Sequence, residues 1–445
     1  MRPWGQEWRR NWFLKTHKLF GLTTISKPFG LLVLCILMLS LFVGLTTSTA
    51  SASIITTDYQ ITSDSASQER PDIYEYGPYD YGVVWQDNRN GNFDIYMYTS
   101  GPNSLEPEIQ VTTNSGNDQY PKIYNDTIVY QSDRNGNWDI YIYNITSKIE
   151  TQITNSVGNE EYPDIDGNHI VWQDSRNGGW DVYMYDLATQ TEKAIDTYYE
   201  NWSPAVSGDR ILYTHDTYTG VHNYRITSYG ISSDIHVSFD ELIGRNPQLE
   251  IGWPTISGNL GAWIRDSFIN SPYNFSPQHD IVMMNLNTGE IWQINTSADE
   301  FNLSVYDSYG QYLAFERYEV GKLTHIYVYS MTSKNDFLVT SLSSSQIHPV
   351  ISSEYSNYVV YMDDRNGNWD IYLTIFGYGV GATGPNSQST SSTPSANAAG
   401  SGNQDLMIIA IVAVVAVAAI TAAVFVATRR KKPKKQELLH APQSP

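Results

Sequence analysis

Short runs of alternating apolar and polar residues, separated by turn signals, recur through residues 59–376. The clearest copies are VVWQDNRNGNFDIYMY at 83–98, IVYQSDRNGNWDIYIY at 128–143, IVWQDSRNGGWDVYMY at 170–185 and VVYMDDRNGNWDIYL at 359–373. Each follows a short turn around a proline, as in Pro71-Asp72-Ile73, Pro121-Lys122-Ile123, Pro163-Asp164-Ile165 and Pro349-Val350-Ile351. An apolar strand then ends in Trp85, Tyr130, Trp172 or Tyr361. An Asn-Gly pair comes next (Asn90-Gly91, Asn135-Gly136, Asn177-Gly178, Asn366-Gly367) and predicts a tight hairpin with positive φ angles. The strand beyond it alternates, as in Asp139-Ile140-Tyr141-Ile142-Tyr143, and β-branched and aromatic residues at period two fit a half-buried strand. A last short strand, such as TQIT at 151–154, closes the unit.

Three weaker units start at Pro204-Ala205-Val206, Pro254-Thr255-Ile256 and Leu303-Ser304-Val305. With strands named a to d in chain order, seven a–b–c sets and seven d strands are present, but the chain opens on a d strand (YQIT, 59–62) and ends on a c strand (DIYLTIF, 370–376). A linear array would leave two open sheet edges, which invite aggregation. Closing the array into a ring, with the orphan d strand completing the last sheet, removes them. The prediction is an all-β, seven-bladed β-propeller of four-stranded antiparallel blades, with six or eight blades as the alternative.

The repeat resembles the TolB-like propeller family, whose units read P-x-I/V-x-G-x-x-I/V-x-W/F/Y-x-x-x-R-x-G-x-x-x-I/L-Y; PDIDGNHIVWQDSRNGGWDVYMYDL at 163–187 matches it at every fixed position but one, where Val182 stands for I/L. The resemblance covers about three quarters of the chain and implies the propeller fold. It implies little about function, because propellers host many activities. A scaffold role in an envelope complex is one reading it suggests.

The flanks predict five segments. Residues 1–52 read as a signal peptide or N-terminal membrane anchor, with an apolar run at 29–45 behind a basic leader. The propeller occupies 53–376, and a Gly/Ser/Thr/Asn-rich stalk 377–405. Residues 406–428 carry no charge and are long enough for a transmembrane helix. The basic tail at 429–445 then lies in the cytoplasm by the positive-inside rule, and the propeller outside the cell.

Formal charge is −20, unevenly spread: of 47 acidic and 27 basic residues, only 3 and 12 lie outside 53–380. So acidic a head argues against nucleic acid as a partner. Cys35, the only cysteine, lies in the N-terminal apolar run, so the propeller has neither disulfide nor thiol chemistry.

No H-E-x-x-H spacing and no G-x-S-x-G elbow appears, and no hydrolase domain follows the repeats, so no catalytic residue is assigned. Asp133, Asn135, Asn137 and Asp139, like Asp364, Asn366, Asn368 and Asp370, space oxygen atoms at every second residue, as Ca²⁺ loops do. Their glycine falls at the fourth position and no bidentate Glu follows. The favoured reading is therefore a turn in which Asp94, Asp139, Asp181 and Asp370 bond backbone or the repeat arginines Arg89, Arg134, Arg176 and Arg365. No other cofactor is expected.

Binding candidates come from the d–a connections, which in a propeller share a face with the b–c turns around the channel mouth. Arg70, Tyr120, Tyr162, Trp202, Trp253, Phe301 and His348 stand just before the a strands, with Glu69, Glu161 and Glu300 beside them. Aromatic faces next to acids and amides suit sugar rings or extended peptides; packing of blade against blade is the competing explanation. Longer connections at 240–253 and 267–279 belong to the same face. The resulting expectation is a non-enzymatic cell-surface recognition or adhesion protein whose partner is a cell-envelope protein or glycan. The alternative is a carbohydrate-active enzyme, a glycosidase or lyase, for which placed carboxylates would be needed.

Overall fold

The computed structural model describes residues 54–378, apart from 102–107, 199, 217–223, 243–252, 268–277, 295–297, 308–310, 319–320, 341–342, 353 and 356. The leader, stalk, 406–428 segment and basic tail lie outside the described residues, as do most of the two long connections. Among the described residues no helix is long and apolar enough to cross a membrane.

Seven four-stranded antiparallel sheets form the propeller, which settles the blade number against six or eight. Blade 1 is built from Gln68–Gly77, Asp80–Asp87, Asp94–Ser100 and Glu108–Gln110, and blade 2 from Asp118–Tyr124, Thr127–Ser132, Asp139–Asn144 and Ile149–Gln152. Blades 3 to 6 repeat the order, starting at Glu160, Asn201, Thr255 and Asp299. Blade 7 takes its a, b and c strands from Gln346–Ser352, Tyr358–Asp363 and Asp370–Tyr378, and its outer strand from Ile54–Gln60 at the other end of the chain. Pairing at this seam runs from Ile54 opposite Tyr378 to Gln60 opposite Tyr372. Three-plus-one closure is thus present.

The core is divided into interblade layers. Val84, Ile95 and Met97 of blade 1 meet Ile123, Ile128 and Tyr130 of blade 2. Trp85 and Val83 meet Val360, Met362 and Leu373 across the seam between blades 1 and 7. Because inward residues of strands b and c are fully buried between neighbouring sheets, the strands read as near-continuous apolar runs rather than strict alternation.

The b–c turn departs from the expected tight hairpin. Asp87 pairs with Asp94, leaving a six-residue loop from 88 to 93 in which only Gly91 has positive φ. Side chains supply the missing order. The Asp87 carboxylate accepts the Arg89 N–H (2.9 Å), and the Asn90 amide donates to Asp94 (3.2 Å) and to the Tyr96 hydroxyl (2.9 Å). Two-residue hairpin geometry is unnecessary when an Asx-type bond turns the chain. The repeat arginines also choose partners other than those expected. Arg89 pairs with Asp87 and Glu108, Arg176 with Asp174 and Glu192, and Arg365 with Asp363 and Asp58, one carboxylate at the end of strand b and one on strand d. Each guanidinium lies over a strand-c tyrosine, Arg365 at 3.6 Å from the Tyr372 ring centre. Asp58 therefore does at the seam what Glu108 and Glu192 do inside the ring.

Candidate functional site at the channel mouth

A regular irregularity in strand a builds the mouth. Pairing with strand b slips between Glu69 and Asp72, Gln119 and Lys122, Glu161 and Asp164, Trp202 and Ala205, Phe301 and Ser304, and Ile347 and Val350. The first residue of each bulge lies in the left-handed region: Arg70, Tyr120, Tyr162, Ser203, Asn302 and His348, with φ between 43° and 55°. Proline follows in every case but Asn302 and cannot donate to the ladder, so a bulge there forfeits no strand bond. The turned-out N–H of the strained residue is captured by the preceding blade. Gln86 accepts from Tyr120 (3.1 Å), Gln131 from Tyr162 (2.8 Å), Gln173 from Ser203 (3.2 Å) and Glu316 from His348 (2.6 Å). A non-glycine residue held there costs about 1–3 kcal/mol, and such strain gathers at functional sites.

These residues and Trp253 line one end of a central cavity of about 570 Å³. They touch in sequence around it. The Tyr120 and Tyr162 rings meet edge to face at 4.6 Å, and Tyr162 meets Trp253 at 5.0 Å. Tyr162 and Trp253 belong to blades 3 and 5, and small Ser203 between them leaves room for that contact. On the other flank the Arg70 guanidinium lies 5.0 Å from the Tyr120 ring centre and donates to His348 Nδ1 at 3.4 Å. Burial and the Arg70 charge bring the His348 imidazole down to about 3, so it is neutral and accepts from Arg70.

Two residues further along strand a stands a second tier. Lys122 Nζ lies 3.4 Å from Asp72 Oδ1, with Asp164 on its other side raising its pKa. Asp72 Oδ2 accepts the Ile123 N–H and Asp164 Oδ2 the Val206 N–H, both at 2.8 Å, so these carboxylates also tie blade to blade. Burial pushes Asp164 up to about 6 against the pull of Lys122. The charged groups come from blades 1–3, and Ala205, Thr255, Ser304 and Val350 complete the tier.

Of the expected binding residues, the structure gathers Tyr120, Tyr162, Trp253 and His348 at the mouth. Trp202 and Phe301 stand one position too early. The Trp202 ring packs on Tyr224 at 5.5 Å in the layer between blades 4 and 5, and Phe301 on His279 at 5.0 Å. Ser203 and Asn302 hold the places assigned to them. Glu69 and Glu161 flank the mouth, half-buried, with Glu69 accepting from Gln86 at 3.3 Å and burial raising Glu161. Glu300 is displaced too: it is fully buried and accepts from Arg317 Nε at 3.1 Å. The second tier was not singled out from sequence, although its residues follow the repeat prolines at a fixed offset that alternation places inward.

The Ca²⁺ candidates serve the turn. Asp133 accepts the Asn117 N–H (2.6 Å) and its side-chain amide (2.8 Å), and Asp139 accepts from Asn135 (3.2 Å) and Gln152 (3.1 Å). Asn137 donates to the Gly158 carbonyl at 2.7 Å, clasping the d–a loop that leads into the next blade. In blade 7, Asp364 accepts the Ser345 N–H (2.8 Å), Asn366 donates to Asp370 (2.7 Å) and Asn368 to the Ala66 carbonyl (2.9 Å). Among the described residues no group of three His, Cys, Asp or Glu side chains is placed to hold a metal ion.

Neither a protein-family model nor a curated protein matches the sequence. Solved structures do. An oligogalacturonate lyase from Vibrio parahaemolyticus shares 13% identity over 73% of this chain and 98% of its own, with a TM-score of 0.51. The β-propeller domain of the Trilobed protease from Pyrococcus furiosus shares 10% over 70% and 95%, TM-score 0.51. TolB from Acinetobacter baumannii shares 15% over 68% and 78%, TM-score 0.37. The chain shares the β-propeller fold with these structures. The Pyrococcus propeller is described as having an open velcro topology, whereas here the Ile54–Gln60 strand closes the ring.

Proposed function

We propose that this propeller is a membrane-anchored, cell-surface recognition protein that binds a glycan or a protein of the cell envelope at the channel mouth. The contiguous arc His348–Arg70–Tyr120–Tyr162–Trp253 carries this reading. Its rings are half-buried, those of Tyr120, Tyr162 and His348 stand on strained backbone, and Glu69 and Glu161 edge them. Such a plate offers apolar faces to a sugar ring or an extended chain, with charged groups at its rim for hydroxyls and amides. The 406–428 segment would display the head outside the cell on the stalk.

A carbohydrate-active enzyme is the second reading. It is favoured by Glu161, whose carboxyl burial raises above its ordinary value beside the same mouth, with Glu69 as a second carboxylate. One experiment separates the two. Full-length protein is presented with envelope glycans and surface proteins, and both binding and product are measured, with Tyr162→Ala/Trp253→Ala and Trp202→Ala variants alongside. Saturable binding lost in the first variant, kept in the second, with the ligand returned intact, supports recognition. Turnover abolished by Glu161→Gln supports the enzyme. Binding that survives in the first variant moves the site away from the mouth.

A further inference from the structure

The opposite end of the channel is built from different chemistry. Two residues beyond the Asp72–Lys122–Asp164 tier, strand a turns one more side chain inward: Tyr74, Tyr124, Asp166 and Tyr306, with serines in the remaining blades. Glu354, from the loop after the first strand of blade 7, joins this rim and is exposed. The Tyr74 and Tyr124 rings lie 5.1 Å apart. The Tyr306 hydroxyl donates to Glu354 (2.5 Å), and the Gly208 N–H to Asp166 (2.5 Å), so each carboxylate is fixed by one bond. Burial raises the Tyr74 phenol to about 12, helped by Tyr124, Glu354 and Asp166, and burial followed by the same two carboxylates raises Tyr124. Their field therefore spans the rim.

The basic side chains lining this cavity are Arg70, Lys122 and His348, and all three stand in the upper two tiers. Lys122 is already shared between Asp72 and Asp164. The lower rim is thus negative and aromatic. Three tyrosines around the mouth of a central channel set it apart from a flat acidic patch. Ring faces attract organic cations through their quadrupole and line up alkyl stems, whereas a hard metal ion requires converging oxygen ligands.

We infer that this lower mouth binds an alkylammonium group, its stem against Tyr74 and Tyr124 and its charged head between Asp166 and Glu354. A lysine side chain of a partner and a free polyamine share that chemistry.

Calorimetric titration of the full-length protein at low salt tests it, with cadaverine and Nα-acetyl-lysine methylamide as probes and diacetylated lysine methylamide as the uncharged control. Saturable binding of at least one charged probe is expected, together with none of the control. Preference for cadaverine identifies a polyamine site, and preference for the lysine derivative a protein partner. Asp166→Asn with Glu354→Gln should weaken binding by roughly tenfold. Both changes keep an oxygen for the Gly208 N–H and the Tyr306 hydroxyl, so the fold is preserved. Tyr124→Leu should weaken binding severalfold and Tyr124→Phe should not. Trp253→Ala, at the other mouth, should leave it unchanged, which keeps this test separate from that of the recognition arc. Absence of saturable binding, equal binding of the uncharged control, undiminished binding in the Asp166/Glu354 double variant, or displacement of the probe by equimolar Ca²⁺ would overturn the inference.

Discussion

Glu160 opens strand a of blade 3, is fully buried, and faces Asp139 of blade 2. Its Oε1 accepts from the Ser156 hydroxyl, while Oε2 and Asp139 Oδ1 have no other hydrogen-bond partner. A proton carried on Glu160 joins the two. Burial, aided by the Asp174 charge and opposed by Ser156, raises the Glu160 carboxyl from 4.5 to about 7. The folded chain therefore binds this proton more tightly than the unfolded chain does. Unfolding releases it between pH 4.5 and about 7, so stability falls as pH rises through that window and levels off above it. Each tenfold in proton affinity is worth about 1.4 kcal/mol, which makes the full penalty roughly 3 kcal/mol. In the Glu160→Gln protein the amide donates to Asp139 at any pH. That variant should match wild type at about pH 4 and exceed it by roughly 2–3 kcal/mol at about pH 8.5. Urea unfolding followed by tryptophan fluorescence across this range measures the difference, since titrations common to both proteins cancel. A difference that does not change with pH, or a variant that loses stability in parallel with wild type, would refute the shared proton.

Asp58→Ala removes acceptors for Arg365 (2.7 Å), the Tyr361 hydroxyl (2.5 Å) and Thr374 (2.9 Å) at the seam, and should cost about 2–3 kcal/mol in urea unfolding. Gly158→Ala would set a Cβ 2.4 Å from the Arg176 nitrogen, where the d–a loop crosses the next b–c turn. A loss of at least about 2 kcal/mol, read as a lowered melting temperature, is expected. Burial raises Glu150, but hydrogen bonds from Arg134 and Tyr130 outweigh it and hold the carboxyl below its ordinary 4.5. Its support is present above that value and lost as pH falls below it, so Glu150→Gln should flatten the acid side of the stability curve.

The mouth shows where local pattern stops. Tyr120 and Tyr162 were recognisable because each stands directly before a repeat proline, and Trp253 and His348 share that mark. Trp202 and Phe301 are aromatics one position before the residue that the bulge turns into the mouth. Their register is set by the bulge, and the bulge by a bond to the preceding blade, as from Ser203 to Gln173. In blade 6 no proline marks the place, and Asn302 occupies it with its amide on Glu316 at 2.6 Å. The buried position of Glu300 follows from the same offset, because it aligns with Glu160 rather than Glu161.

Period-two strands, Pro and Asn-Gly punctuation, seven repeats and the displaced d strand were readable from the sequence alone, because they depend on neighbours a few residues apart and on the need to leave no open edge. The partners of the repeat arginines, the one-residue register at the mouth, the Asp72–Lys122–Asp164 tier and the aromatic, acidic lower rim were decided only in three dimensions. Each depends on groups about 15 to 300 residues apart in the chain that meet only when the strands of a blade assemble or when one blade packs on the next. No local pattern encodes which side chain a neighbouring sheet will present.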